Sequence, residues 1–370
     1  VRRILFWMHL CTGVLIGILV VYFSITGILI AYERPILNAI DKQNYKAAPA
    51  SADAVRMPLA KLISETESAA HARVEMITVH PDPVSPVELQ TANREVFFAD
   101  AFSGAVQGPM SPRARAFFLQ VTALHRWFGL SEAHHAVATA VKGAVTLLFL
   151  FLLVSGATLW IPSRWTGTTF RTGAVPRFDV RGRARNYNWH KVTGLWLGLP
   201  LAVLVVTGVI MAYPWANALL FRLAGSPMPV RNAVRENSHR HGNGASPIPG
   251  NLDEAFTQAT SHGESWQSAS LRLPANAGEL NITVDRSEGG HPEKREQVFV
   301  DATTGRVLRR VSFDGLSRGQ RWRSWVRFIH TGEAGGWWGE TLATSTASGA
   351  ILLSVTGFLL AFHRLRRLRP

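Results

Sequence analysis

Four stretches of this chain carry no charge over the roughly 20 residues that an α-helix needs to cross a bilayer. They are residues 10–31, 143–161, 192–221 and 341–362. A backbone in lipid must satisfy its own N–H and C=O groups, so apolar runs of this length are read as membrane helices. The composition agrees. Of 370 residues, 47% are hydrophobic and only 17% charged, where an ordinary soluble protein has roughly 25% charged. The apolar content excludes disorder, and the single Cys11 excludes a disulfide scaffold. The first run is too long for a removed signal peptide and lacks a small-residue cleavage site, so it is read as a retained helix.

Charge sets the orientation. Lys and Arg cluster in three segments: Arg2 and Arg3; Arg164, Arg171, Arg177, Arg181, Arg183, Arg185 and Lys191; and Arg364, Arg366, Arg367 and Arg369. Against these thirteen cations stands one acid, Asp179, so the segments hold +12 of the net +14. Four crossings put all three on one side, which the positive-inside rule makes cytoplasmic. The expected layout is helix 1 at 1–32, an external segment at 33–135, helix 2 at 136–161 and a basic loop at 162–189. Helix 3 follows at 190–223, a second external segment at 224–339, helix 4 at 340–363 and a basic tail at 364–370. Both termini are then cytoplasmic, and the long segments are periplasmic if the membrane is a bacterial inner membrane. A basic excess placed this way anchors a chain to membrane lipid and implies no nucleic acid.

The chain reads as a duplication. His9, Gly13, Gly17, Thr26-Gly27 and Ala31-Tyr32 match His190, Gly194, Gly198, Thr207-Gly208 and Ala212-Tyr213 without a gap. Ser155-Gly156 likewise matches Thr356-Gly357. Outside the helices, residues 96–104 and 298–305 each read as a strand, a turn opened by Asp100 or Asp301 and closed by glycine, and a return strand. Each is preceded by a helical stretch (58–70; 251–261) and a strand (75–79; 279–284). The expected fold is a membrane α-helical protein with four transmembrane helices as two tandem repeats, each carrying an external α+β domain.

Ionisable residues at membrane helices are costly and by default suggest function. His9 and His190 would meet at one depth on the cytoplasmic side, and His125 and His330 at the external face. Two facing imidazoles can supply both axial ligands of a haem b iron, so the pairs point to two haems. The glycines four and eight residues after His9 and His190 leave room for a flat macrocycle or for close helix packing. Alternatives remain open at this stage. His134 or His135 could replace His125, and His363 could replace one member of the inner pair or serve as one more anchoring cation. A closed zinc site is disfavoured by the lack of a Cys pair or a close His-x-x-x-His. His239 and His241, in a Gly/Pro/Asn loop, read as solvated or as an open metal contact.

One cluster defies the topology rule. Arg113, Arg115 and Arg126 flank His125, and Arg318, Arg321, Arg323 and Arg327 precede His330, with tryptophans interleaved. They either anchor lipid phosphate, or some of them, Arg323 and Arg327 above all, pair with haem propionates or hold an anionic substrate.

With these residues in view, the chain resembles the PepSY-associated transmembrane family. The matching motifs are Trp7-Met8-His9-Leu10 with Gly13 and Gly17, Leu124-His125-Arg126-Trp127, Trp189-His190-Lys191 with Gly194-Leu195-Trp196, and Ile329-His330-Thr331-Gly332. The Asp-Ala-x-Ser/Thr-Gly turns look like the family's PepSY signature, so the external domains are PepSY-like. The family includes inner-membrane ferric-siderophore reductases of iron uptake (FoxB type) that carry b haems. The resemblance implies that His9, His125, His190 and His330 are the haem ligands and that the substrate is a ferric siderophore or another Fe(III) chelate. The electron donor would be quinol or a separate reductase. Alternatives are a b-type haem protein serving another periplasmic acceptor and a non-catalytic membrane-anchored PepSY module that regulates a partner. A transporter is disfavoured because the spans lack buried carboxylates.

Overall fold

The computed structural model describes residues 1–45, 55–82, 85–162, 166–229, 251–262, 265–273 and 278–366. Arg164, Arg367, Arg369, His239 and His241 lie outside the described residues. The helices are α1 (Arg2–Ala31), α2 (Glu33–Asn44), α3 (Leu59–Ala70), α4 (Pro112–Trp127), α5 (His135–Trp160), α6 (Gly167–Ala174), α7 (Gly182–Ala212), α8 (Pro214–Leu223), α9 (Leu252–Thr260), α10 (Arg318–Thr331) and α11 (Gly336–Arg366). The strands are β1 (Val74–Val79), β2 (Val87–Thr91), β3 (Val96–Ala99), β4 (Val106–Gln107), β5 (Ser268–Arg272), β6 (Glu279–Asp285), β7 (Arg295–Asp301) and β8 (Val307–Ser312). Two compact units result. One holds Val1–Arg34, Phe117–Leu220 and Arg323–Pro370, the other Pro35–Ala116 and Phe221–Trp322.

The first unit is a bundle of α1, α5, α7 and α11, each part of a helical run long and apolar enough to cross a membrane. The protein is therefore a membrane protein. Helices α1 and α7 each pack against both α5 and α11, so the two stand at opposite corners of the bundle. Ile16, Val20, Val145, Leu201 and Ala350 form its centre. Among the repeated glycines it is at Gly17 that the helices close up, because a Cβ there would lie 2.6 Å from the Phe358 ring. A Cβ on Gly198 would meet nothing, and on Gly13 or Gly194 only a leucine methyl at 3.9 or 3.8 Å. Close packing thus accounts for one of the four repeated glycines. Charge ends an apolar run but does not end a helix: α7 begins at Gly182, which puts His190 two turns inside it, and α5 begins at His135, which takes in Lys142.

The second unit is an antiparallel sheet in the order β4-β3-β2-β1-β5-β6-β7-β8. The segment between α1 and α5 and the segment between α7 and α11 thus contribute four strands each to one sheet, joined where Ile77 pairs with Leu271 and Thr78 with Ser270. Alternating residues of these strands bury Ile77, Leu89, Leu271, Ile282, Val298 and Val300 against Leu62 and Ile63 of α3 and Leu252 and Phe256 of α9. Asp253 of α9 accepts the Leu59 N–H at 3.1 Å, capping α3 from the other segment. Both turns form as the sequence predicts. Asp100 Oδ1 accepts from the Phe102 and Ser103 amides (3.0 and 2.7 Å) and Asp301 Oδ1 from those of Thr303 and Thr304 (3.0 and 2.7 Å). Gly104 and Gly305 close the turns at φ +72° and +69°, a conformation that glycine adopts without strain. The Thr304 amide holds the Asp301 carboxyl below its ordinary range.

His80 bridges the central seam. Its Nδ1 donates to the Gln267 carbonyl at 2.9 Å and its Nε2 faces Glu88 at 3.2 Å, so the ring makes both bonds when protonated. The hydrogen bond to Glu88, opposed by burial, raises its pKa above the usual 6.5. A raised pKa means that this stabilisation is complete below pH 6.5 and is lost as pH climbs through the folded value. With Glu88 partly exposed the effect is expected to be under about 1 kcal/mol. The thermal midpoint of the full chain in detergent should fall slightly from pH 6 to pH 8.5, and His80→Ala should flatten that part of the profile. An unchanged slope in the variant would refute the assignment.

Candidate functional site

Four histidines are seated alike, each against a hydroxyl and a glycine of another helix. His9 Nδ1 lies 2.8 Å from Ser155 Oγ, and His190 Nδ1 2.9 Å from Thr356 Oγ1. His125 Nδ1 lies 2.8 Å from Thr26 Oγ1, and His330 Nδ1 3.0 Å from Thr207 Oγ1. The next residue is glycine each time, and a Cβ on it would meet the Cε1 of the same ring. Those distances are 3.3 Å for Gly156 to His9, 3.5 Å for Gly357 to His190, 3.6 Å for Gly27 to His125 and 3.4 Å for Gly208 to His330. The hydroxyl aims the imidazole, and the ring lies against the bare glycine, most tightly at Gly156.

The protonation of these rings follows from the hydroxyls. Each hydroxyl has one proton, and each is within donating distance of its own helix's carbonyl four residues back. These bonds are Ser155 to Phe151 (2.7 Å), Thr356 to Leu352 (2.6 Å), Thr26 to Tyr22 (2.9 Å) and Thr207 to Val203 (2.8 Å). A hydroxyl so engaged can only accept from the imidazole. His330 Nδ1 also faces the Leu204 carbonyl at 3.0 Å, which can only accept. With each hydroxyl proton given to its own carbonyl, the rings carry their proton on Nδ1 and leave the Nε2 lone pair available, the arrangement of a metal-ligating histidine held by an outer partner.

The rings form two levels. His9 and Thr26 are seventeen residues apart on α1, as are His190 and Thr207 on α7, which separates the levels by about 25 Å. At one level, His9 and His190 meet across the diagonal of the bundle with ring centres 6.5 Å apart and planes at 89°. Two imidazoles on opposite sides of one metal, each with a metal–nitrogen bond of about 2 Å, place their ring centres about 6 Å apart. The inner pair fits that spacing. At the other level, His125 and His330 lie within electrostatic reach of each other and of Lys142. Helix α4 is held to α1 by Tyr22, whose hydroxyl donates to the Leu124 carbonyl at 3.0 Å, and Phe23 packs edge-on to His125. Among the described residues no group of three or more His, Cys, Asp or Glu could hold a metal ion.

The competing histidines are seated differently. His134 is exposed, with Nδ1 3.1 Å from Ser131 Oγ. His135 stacks on Trp127 at 4.3 Å, and its Nε2 donates to the Leu130 carbonyl at 3.2 Å. His363 is exposed and turns Nδ1 onto the Leu359 carbonyl of its own helix at 2.6 Å. None of the three has a hydroxyl–glycine seat on another helix. Arg115 pairs with the buried Asp41 and Arg321 with Asp314 at 3.7 Å, so both serve the sheet unit. Arg126 covers Trp127 at 4.6 Å. Arg323 is half-buried, while Arg327 is exposed over Phe328. The sequence marks Ser155-Gly156, Thr356-Gly357, Thr26-Gly27 and Thr207-Gly208 as repeated steps, and the structure gives each a histidine. Lys142 escapes a search for uncharged runs because it stands one residue before the second.

Selective ¹⁵N-histidine NMR of the metal-free protein should show Nδ1–H and bare Nε2 for these four rings, and Nε2–H signals would refute the seating argument. Thr356→Val, which removes the acceptor while keeping the shape, should destabilise the bundle by about 1 kcal/mol in detergent melts.

No curated protein matches the chain significantly. The family model described as PepSY-associated TM region matches residues 6–364, nearly the whole length. The chain belongs to that family.

Proposed function

We propose that this member of the PepSY-associated TM region family is a dihaem b-type electron-transfer protein of a bacterial inner membrane. It reduces Fe(III) in a siderophore or similar chelate on the periplasmic side. The observation that carries the reading is the fourfold seating of imidazoles with Nδ1 engaged and Nε2 free, at two levels about 25 Å apart inside a bundle. His9 and His190 would hold the inner haem, and His125 and His330 the outer one. When bound, the haems supply one-electron chemistry across the membrane. The chain's residues do the rest. Ser155, Thr356, Thr26 and Thr207 orient the ligands, the glycines beside them clear space, and the apolar centre of the bundle excludes water. A quinol, or a separate reductase, is the electron source, and one quinol gives two electrons and two protons, enough for two Fe(III). Hard oxygen chelators hold Fe(II) less tightly than Fe(III), so reduction releases the metal.

Two features support the tandem-repeat part of the reading. The sheet runs outward from the β1–β5 seam in the same order on both sides, and the two turns share one hydrogen-bond pattern. The basic segments at residues 2–3, 171–191 and 364–366 support, by the positive-inside rule, a cytoplasmic side for both termini and a periplasmic side for the sheet segments. Arg323 and Arg327 are assigned to an anionic chelate at the outer face.

A second reading has one observation in its favour: each histidine already has a hydrogen-bond partner, so the four seats could serve only to tie helices together. The protein would then be a membrane-anchored PepSY module that regulates a periplasmic partner. An absorption spectrum before and after dithionite separates the two. Two low-spin b haems per chain by pyridine haemochrome, falling to one in His190→Ala or His330→Ala, are expected, together with dithionite- or quinol-driven Fe(III)-chelate reduction. Colourless protein that takes up no haem would favour the module. Replacing Arg323 and Arg327 with Gln should raise KM for an anionic chelate several-fold with both haems retained.

A further inference from the structure

Lys142 stands in the second turn of α5, about 10 Å along a membrane-spanning helix. It is half-buried, and among the described residues its ammonium has no hydrogen-bond or ion-pair partner. Among the described residues the charge that acts on it is a cation, Arg126, and no acid. It lies within electrostatic reach of His125, His330 and Arg126. Thr146, one turn on and bonded back to the Lys142 carbonyl at 2.8 Å, meets the Gly208 position that His330 Cε1 also touches. The helix face that carries Lys142 is thus the one turned toward the outer histidine pair. An uncompensated ammonium at this depth is expensive, and α5 keeps it beside a second cation.

We propose that Lys142 forms an anion subsite of the outer pair, binding a carboxylate of the group held there. On the dihaem reading, on which this inference rests, that carboxylate is a haem propionate. Lys142 is then a positioning residue. Its charge holds the outer haem in place and raises its potential relative to a neutral side chain, while the inner pair, about 25 Å away along the helices, is indifferent to it.

The test compares full-length wild type, Lys142→Met and Lys142→Arg, each purified with haem. It measures haem transfer to excess apomyoglobin and optical redox titration, with the outer haem identified as the one that His330→Ala removes. Lys142→Met should lose the outer haem about tenfold faster and lower its midpoint, with the inner haem unchanged and Lys142→Arg restoring both. A lysine that merely snorkels to lipid phosphate predicts otherwise. Removing it should leave both haems and both midpoints untouched, an outcome that would overturn the proposal. So would a Met variant altered only in KM for an anionic chelate, which would assign the cation to substrate. Wild-type protein without haem would remove the dihaem reading and this inference together, whereas two haems with an indifferent Met variant would remove this inference alone.

Discussion

The hydrogen bond between a helix-bound hydroxyl and an imidazole of another helix is the contact on which the membrane unit depends. A Ser or Thr inside a membrane helix gives its proton to its own backbone and has lone pairs to spare. Water does not compete for them in lipid, so a neighbouring N–H finds them a unique partner. Used four times, this contact joins α1 to α5, α7 to α11, α4 to α1 and α10 to α7. It therefore fixes helix rotation and the direction of every ring at once. The glycine that follows each hydroxyl belongs to the same contact, because its Cβ position lies 3.3 to 3.6 Å from the ring and is tight at Gly156.

From that contact follows the layout of the bundle. With α1 and α7 at opposite corners, their histidines reach each other across the diagonal while α5 and α11 supply the hydroxyls from the sides. Apolar packing around Val20, Val145 and Leu201 occupies the space between the two levels. The sheet unit obeys ordinary aqueous rules instead. It has alternating burial, a helix on each half with α3 capped from the other by Asp253, and Asp-opened turns, and its seam is closed by β1 and β5 and tied by His80.

Much of the site was legible in the sequence because histidine is rare in membrane helices and recurred in register with Thr-Gly and Ser-Gly. What the pattern lacked was the pairing rule. Ser155-Gly156 and Thr26-Gly27 read only as marks of repetition, since the histidines they seat are 146 and 99 residues distant. His134 and His363 looked equivalent to the chosen four for the same reason. Their exposure and their local hydrogen bonds separate them once backbone positions are known. The arginine cluster also divided in space: Arg115 and Arg321 serve the sheet unit, and Arg323 and Arg327 do not share those partners.

The sequence by itself determined the four spans, the asymmetry of basic charge, the Asp-opened turns and a short set of histidines that contains the four seated ones. Each of these is local, set by composition or by spacing along one element. Tertiary structure alone decided which hydroxyl meets which ring, that Nε2 is the free nitrogen, that the two external segments share one sheet, and that Lys142 faces the outer pair. These depend on how each helix is rotated against its neighbours and how β1 is registered on β5. Those choices are set by packing between distant segments, and no local pattern encodes them.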